Sequence, residues 1–280
     1  MSESSFTGNG GKTVETAPDG TLVFHPDRQH LKLRPLKAWH HFRELLKDKE
    51  NTEEVFRIFE SLPSRDLEPR ARRFGLSEEG QRIRASEPYL PDLLDDHDAL
   101  RKLPENSVAH AYLHFMESQG LTAAGLVAEY DKFLGDRPKY GDLFEWYINR
   151  NRDTHDLLHV LTGYSRDALG EQCVLAFTHG QNGALGNIFI AYAGALHMRR
   201  HHAHGAPVVA AVREGQKLGK SCPRVAEMPI RELLARPLEE ARQAFNIRPP
   251  LTYQRCHEYW RARGIDPFDL LATSVDKQAA

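Results

Sequence analysis

The chain has 280 residues, 40% hydrophobic and 27% charged, which suffices for one large core, or at most two, of an ordinary soluble protein. Its net charge of −2 leaves no electrostatic footprint for nucleic acid, so no nucleic-acid partner is expected. Three cysteines, Cys173, Cys222 and Cys256, are far apart and form no Cys-x-x-Cys pair, which points to a reducing compartment, and no run reaches the roughly 18 apolar residues of a membrane span.

Residues 1–34 are rich in Gly, Ser, Thr and charge and are expected to form a disordered arm. Glu3, Glu15 and Asp19 precede the first arginine, Arg28, a pattern that predicts neither a secretory signal nor an Arg-rich transit peptide and favours a cytoplasmic location. From residue 35 helical periodicity dominates. Leu36–Leu46 and Thr52–Leu62 read as short amphipathic helices, the second ended by Pro63. The stretch 63–104, dense in charge and proline, predicts short helices and turns. Val108, Ala111, Tyr112 and Phe115 fall at i, i+3, i+4 and i+7 of the next helix. Further helices are expected at Ala123–Leu134, Tyr140–Asn149, Thr154–Leu161, Asp167–Gly180, Ala184–His202 and Val208–Leu218. Prolines then break the tail into short helices at Ile230–Leu234, Leu238–Phe245 and Tyr253–Arg263. The expectation is all-α: one helical domain over 35–265 and a flexible tail at 266–280.

The stretch with most chemistry is His155-Asp156-Leu157-Leu158-His159, followed twelve residues later by Glu171. At roughly 100° per residue, His155, Asp156 and His159 share an arc of about 100° on one helix face. Gly163 is a plausible stop, and Ser165 or Asp167 a plausible N-cap for a second helix that carries Glu171 about one turn in. A short turn makes the two helices antiparallel neighbours, so that this hairpin could close two imidazoles and two carboxylates around one divalent cation. Zinc, iron, cobalt and manganese all suit that donor set. The spacing alone does not select the site, because His110/His114 and His197/His201 repeat it among 15 histidines. Asp156 inside the pair and Glu171 beyond it add weight, since burying two carboxylates without a cation is costly. A zincin protease carries Glu where Asp156 stands, and a His-Asp phosphohydrolase needs further ligands that nothing here marks.

Tyr164, Arg166 and Gln181 flank the site as candidates for supporting hydrogen bonds, and His179 for contact with a ligand headgroup. Ala184–Ala195, mixing small and large apolar residues, reads as a central core helix buried on most sides or as the wall of a hydrocarbon channel. Arg199 and Arg200, beyond it among four histidines, read as a solvated terminus or, more weakly, a lipid-headgroup contact.

Thr154–Gly163 with Leu169-Gly170-Glu171, together with Leu103-Pro104-Glu105-Asn106-Ser107, Ala111-Tyr112, Phe115, Phe177, Gln181 and Pro237-Leu238-Glu239-Glu240, resembles the coenzyme Q biosynthesis protein Coq-four family over roughly residues 35–250. That family's signature is His-Asp-x-x-His, eleven residues, then Glu, and each position matches. Ala109 departs from it, standing where the family has glycine.

The resemblance implies an all-α domain with a metal-binding helical hairpin and an apolar prenyl-lipid cavity, working in ubiquinone biosynthesis. The implied step removes the C1 carboxylate of a polyprenylated hydroxybenzoate and leaves a hydroxyl in its place. Carried over, the metal ligands and catalytic residues are His155, Asp156, His159 and Glu171, with zinc first among the divalent ions. The implied partners are the polyprenylated aromatic substrate, other ubiquinone-biosynthesis proteins, the inner face of a membrane through peripheral association and, as an option, a second copy in a homodimer. Two readings stand beside it: a non-catalytic polyprenyl-lipid-binding scaffold, and a metal-dependent hydrolase of unrelated substrate.

Overall fold

A computed structural model describes residues 6–7, 13–48 and 51–270. A two-residue strand, β1 (Phe6–Thr7), pairs antiparallel with β2 (Thr13–Val14), Phe6 opposite Val14. Thr16 and Leu22 form an isolated antiparallel bridge, and the other described elements are helical: α1 (Pro35–Leu45), α2 (Thr52–Ser61), α3 (Leu67–Leu76), α4 (Glu78–Ser86), α5 (Leu90–Leu94), α6 (His97–Leu100), α7 (Val108–Gln119), α8 (Ala123–Leu134), α9 (Leu143–Asp153), α10 (His155–Thr162), α11 (Ala168–Asn182), α12 (Leu185–His201), α13 (Val208–Ser221), α14 (Ile230–Ala235), α15 (Leu238–Ala244) and α16 (Leu251–Arg261), with 3-10 turns at Val225–Glu227 and Pro267–Asp269. Local chemistry sets many of the starts. Ser77, Asp96, Ser107, Thr122, Asp142 and Asp167 each accept a backbone N–H of the first turn that follows.

The chain forms two compact units, one of residues 1–155 and 224–236, the other of 156–223 and 237–280. The division falls after the first residue of α10.

In the first unit α3, α4 and α9 enclose Ala71, Phe74, Ile83 and Tyr147. A buried ion pair ties this unit's two chain segments together. Arg150 donates to the Glu87 carboxylate at 2.7 Å and to the carbonyl of Ala226 at 2.6 Å, while Glu87 also accepts the backbone N–H of Ile230 and Arg231 at 3.1 and 2.7 Å. A pocket of about 260 Å³ at this ion pair is lined by the charged Arg84, Glu87, Asp142 and Asp153 and by the apolar Leu90, Leu143 and Trp146.

The arm expected to be disordered is ordered from Thr13 onward. Ala17 and Val23 are buried against Leu143, and Leu143 and Phe144 donate their N–H groups to the carbonyls of Leu22 and Val23 at 2.9 and 3.2 Å. Arg28 reaches Asp142 and Glu145 at 2.7 and 3.1 Å. Its polar groups find partners 57 to 117 positions away, which local patterning does not reveal. Of the expected tail, Pro267–Asp269 is a 3-10 turn and residues 271–280 lie outside the described residues; so do residues 1–5 and 8–12 of the arm.

In the second unit α11 is central, packed by α12 and α13. Glycines permit the closest approach: a Cβ on Gly219 would stand 2.1 Å from the Phe177 carbonyl oxygen, and one on Gly215 2.7 Å from that of Cys173. The helix expected to be buried on most sides, α12, is buried along only one face. Gly186, Asn187, Ile190, Ala191, Gly194, Ala195 and Met198 face inward, whereas Leu185 and Leu196 are exposed. A helix apolar all round gives sequence patterning no side to choose.

Candidate metal centre

Helix α9 ends at Asp153, and Thr154, whose hydroxyl donates to the Arg150 carbonyl at 2.9 Å, turns directly into α10. Positions i, i+1 and i+4 of α10 share a face. One donor atom from each of His155, Asp156 and His159 accordingly lies within 4.8 Å of the others, His159 buried and the other two half-buried.

Beyond α10 the chain turns at Gly163, whose φ of +76° suits glycine, and its N–H closes on the His159 carbonyl at 2.9 Å. Arg242 covers the carbonyls left at this helix end, donating to Val160 and Leu161 at 2.9 and 3.0 Å. Asp167 then caps α11, accepting from Leu169 and Gly170 at 3.1 and 3.2 Å. This turn brings Glu171 back to α10: its Oε2 lies 3.5 Å from His159 Nε2 and its Oε1 3.6 Å from Arg166 Nε.

The buried ring of His159 has its tautomer fixed. Nδ1 is 3.0 Å from the Tyr164 carbonyl oxygen, which can only accept, so Nδ1 carries a proton. In the neutral ring Nε2 therefore presents a lone pair toward the Glu171 carboxylate. Two acceptors at that separation are satisfied by a proton on Nε2 or by a cation shared between them. Ligands on one tetrahedral or octahedral ion with bonds near 2.1 Å stand roughly 3.0–3.4 Å apart; the donors of His155, Asp156 and His159, within 4.8 Å of one another, would have to draw closer to share a divalent ion, and Glu171 stands 3.5 Å from His159.

Of the flanking residues named from sequence, Tyr164 does support His159, through its backbone carbonyl, and Arg166 lies beside Glu171. The amide of Gln181 donates to the carbonyls of Gly219 and Cys222 at 2.9 and 3.3 Å and ties α11 to the end of α13. His179 is used at the α11–α12 turn, Nδ1 donating to the Ala184 carbonyl at 3.0 Å.

Sequence reading missed what lies behind the turn. The buried Asp167 accepts a short hydrogen bond from the Tyr253 hydroxyl and lies 3.2 Å from His257 Nε2, while Tyr253 also accepts the Ser165 N–H at 3.1 Å. Burial and the Asp167 charge both push the Tyr253 hydroxyl's pKa upward. No local signal marks Tyr253 or His257 as partners of Asp167. The only hint was the helical spacing of the two residues on α16.

A family model described as "Coenzyme Q (ubiquinone) biosynthesis protein Coq4" matches residues 60–251. Proteins named ubiquinone biosynthesis protein COQ4 homolog, mitochondrial, align over shorter stretches: that of Aedes aegypti is 34% identical over 98 residues, 35% of this chain and 33% of its own. That of Drosophila ananassae is 37% identical over 98 residues, 35% and 34%, and that of Bos taurus 32% over 105, 38% and 37%. The chain thus spans about a third of the length of these relatives in alignment. A crystal structure from Nostoc punctiforme, of a protein named as a candidate ubiquinone biosynthesis protein, superposes with a TM-score of 0.55 at 17% identity, covering 77% of this chain and 99% of that one, a likeness of fold.

Proposed function

This chain belongs to the coenzyme Q (ubiquinone) biosynthesis protein Coq4 family, and we propose that it carries out a metal-dependent oxidative decarboxylation in that pathway, replacing the C1 carboxylate of a polyprenylated hydroxybenzoate with a hydroxyl. The observation that supports the reading is the grouping of His155, Asp156 and His159 on one face of α10, with Glu171 3.5 Å from His159 Nε2, the nitrogen left facing it by the bond of Nδ1 to Tyr164. These four side chains would hold a divalent ion, zinc, iron, cobalt or manganese. Once bound, the ion would supply Lewis acidity toward the substrate's carboxylate and ring oxygen.

The reaction loses carbon dioxide and is a two-electron oxidation of the ring carbon, with dioxygen as the oxidant. The protein's part is binding, orientation and proton handling. His159 is held rigid and in one tautomer by the Tyr164 carbonyl, so its Nε2 cannot drift from the site. Glu171, a third exposed and flanked by Arg166, is the carboxylate free to loosen and take a proton from the ring hydroxyl, while Asp156 stays on the α10 face. The prenyl tail calls for apolar surface, and the substrate's insolubility in water places the work at a membrane, with other ubiquinone-biosynthesis proteins as neighbours. Among the described residues no helix is long and apolar enough to cross one.

The test pairs metal analysis with turnover. Purified protein should hold one equivalent of metal that His155→Ala and Glu171→Ala lose, and in air but not anaerobically it should release the carboxylate of a short-chain prenylated hydroxybenzoate. Metal without turnover would replace this reading with a lipid-binding scaffold; no metal in the intact protein would sink it.

A further inference from the structure

We propose that residues 29–43, the extended approach to α1 and the outward face of that helix, form a docking surface for an anionic lipid membrane. This gives the membrane association proposed above a location, in a segment that lies before the family match at residues 60–251.

The sequence here is Gln29-His30-Leu31-Lys32-Leu33-Arg34-Pro35-Leu36-Lys37-Ala38-Trp39-His40-His41-Phe42-Arg43, with no acidic residue in a chain whose net charge is −2. Helix α1 buries Ala38, His41, Phe42 and Leu45, at i, i+3, i+4 and i+7, and so has an ordinary inward stripe. Its other face is unusual. Leu36 is 86% exposed and Trp39 51%, and just upstream Leu33 is 58% and Leu31 53% exposed.

Four large apolar side chains within nine positions keep half or more of their surface exposed, Trp39 while its ring also meets Phe42 at 5.7 Å, and exposed apolar side chains clustered in this way mark an interaction site. Between and beside them stand Lys32, Arg34, Lys37 and Arg43, all exposed. Arg28 is different, its charge taken up by Asp142 and Glu145.

Alternating leucine and cation, with a tryptophan on the same surface, is the composition that lies in the headgroup layer: leucines and indole reach the acyl boundary while cations meet lipid phosphates. Four cations reach the lower bound of clusters that select anionic lipid. A second copy of the chain is a poor occupant, because a two-fold contact through this face would set these cations against their own equivalents.

Vesicle cosedimentation of the full chain tests the assignment without metal or substrate, so its failure leaves the metal centre untouched. Binding is expected to vesicles of phosphatidylcholine with phosphatidylglycerol, weakly or not at all to phosphatidylcholine alone, and to be released by high salt. Lys32→Gln with Lys37→Gln should weaken it by roughly thirtyfold, and Leu33→Asp with Leu36→Asp should abolish it, both variants keeping wild-type circular dichroism because the altered side chains are exposed. Brominated acyl chains should quench fluorescence in the wild type and lose that quenching in Trp39→Phe. The control, Arg199→Gln with Arg200→Gln at the end of α12, should bind as wild type. Absence of vesicle binding, binding indifferent to the segment's variants, or loss in the α12 control would each overturn the proposal. So would a concentration-dependent dimer abolished by the Leu33/Leu36 variant, which would give the face to a second copy.

Discussion

His159 Nδ1 lies 3.0 Å from the carbonyl oxygen of Tyr164, and this bond decides which nitrogen of the ring faces Glu171. Because a carbonyl cannot donate, the metal-free neutral ring must be the Nδ1-protonated tautomer. Nitrogen-detected NMR of the metal-free protein should show His159 in that form, and added zinc should shift Nε2 while Nδ1 keeps its proton. His159→Ala should lose metal and, by leaving the Tyr164 carbonyl without its donor, cost about 1–3 kcal/mol in denaturant unfolding. Nδ1 coordination in the NMR spectrum would contradict the assignment.

Arg166, a third exposed, sits 3.6 Å from the Glu171 Oε1, while His159 faces Oε2. A guanidinium there competes with any cation for the same carboxylate. Arg166→Gln is expected to tighten divalent-ion binding, by up to about fivefold since solvent screens the pair. It should also slow a reaction in which Arg166 helps Glu171 let go. Calorimetric titration of cobalt or zinc checks the sign; weaker binding in the variant would assign Arg166 a supporting role instead.

Burial sets an alkaline limit on stability. Desolvation pushes the Cys222 thiol up to about 11 and the Cys256 thiol up to about 12, and raises those of Cys173, Tyr147 and Tyr164 as well. These groups lose protons more readily unfolded than folded. Their contribution is therefore complete below the ordinary thiol range near 9 and is lost as pH rises through 9 to 12. Melting temperature should be flat on this account from neutrality to about pH 8.5 and fall steeply above it, Cys256→Ser lessening the slope. Thiol reagents at neutral pH should label Cys173 and Cys256 only after unfolding.

The helices were legible because their signals are local. Gly163 announces a stop and Asp167 a start, and the apolar rhythm of α7 and α11 survives into the fold. The positions of His155, Asp156, His159 and Glu171 in the fold were legible for the same reason, three lying on one turn and Glu171 just past a short connection. What escaped depends on distance along the chain: the ordering of residues 13–34 by Asp142 and Leu143, the capping of α10 by Arg242, and the exposed side of α12, whose two faces are equally apolar. Chain-local patterning carries no term for such partners, and in α12 the missing polar face removed even the orientation.

Asp167 shows how one of those distant partners could govern the site. It is buried, it caps α11 four residues before Glu171, and it receives the Tyr253 hydroxyl and the His257 ring from α16. Replacing it with Ala removes a cap, costing roughly 0.5–2 kcal/mol, and leaves the buried Tyr253 hydroxyl without an acceptor, costing about 1–3 kcal/mol more. Asp167→Asn keeps the cap and an acceptor but loses the charge, so it should retain most of the stability. Since the first turn of α11 also sets where Glu171 stands, Asp167→Ala at a temperature where it remains folded should bind metal more weakly, whereas Tyr253→Phe, which keeps the cap, should lose stability and hold metal nearly as wild type. If Tyr253→Phe weakened metal binding as much as Asp167→Ala, the hydroxyl and not the cap would be what positions Glu171. Chemical denaturation alongside metal titration of the three variants separates the two.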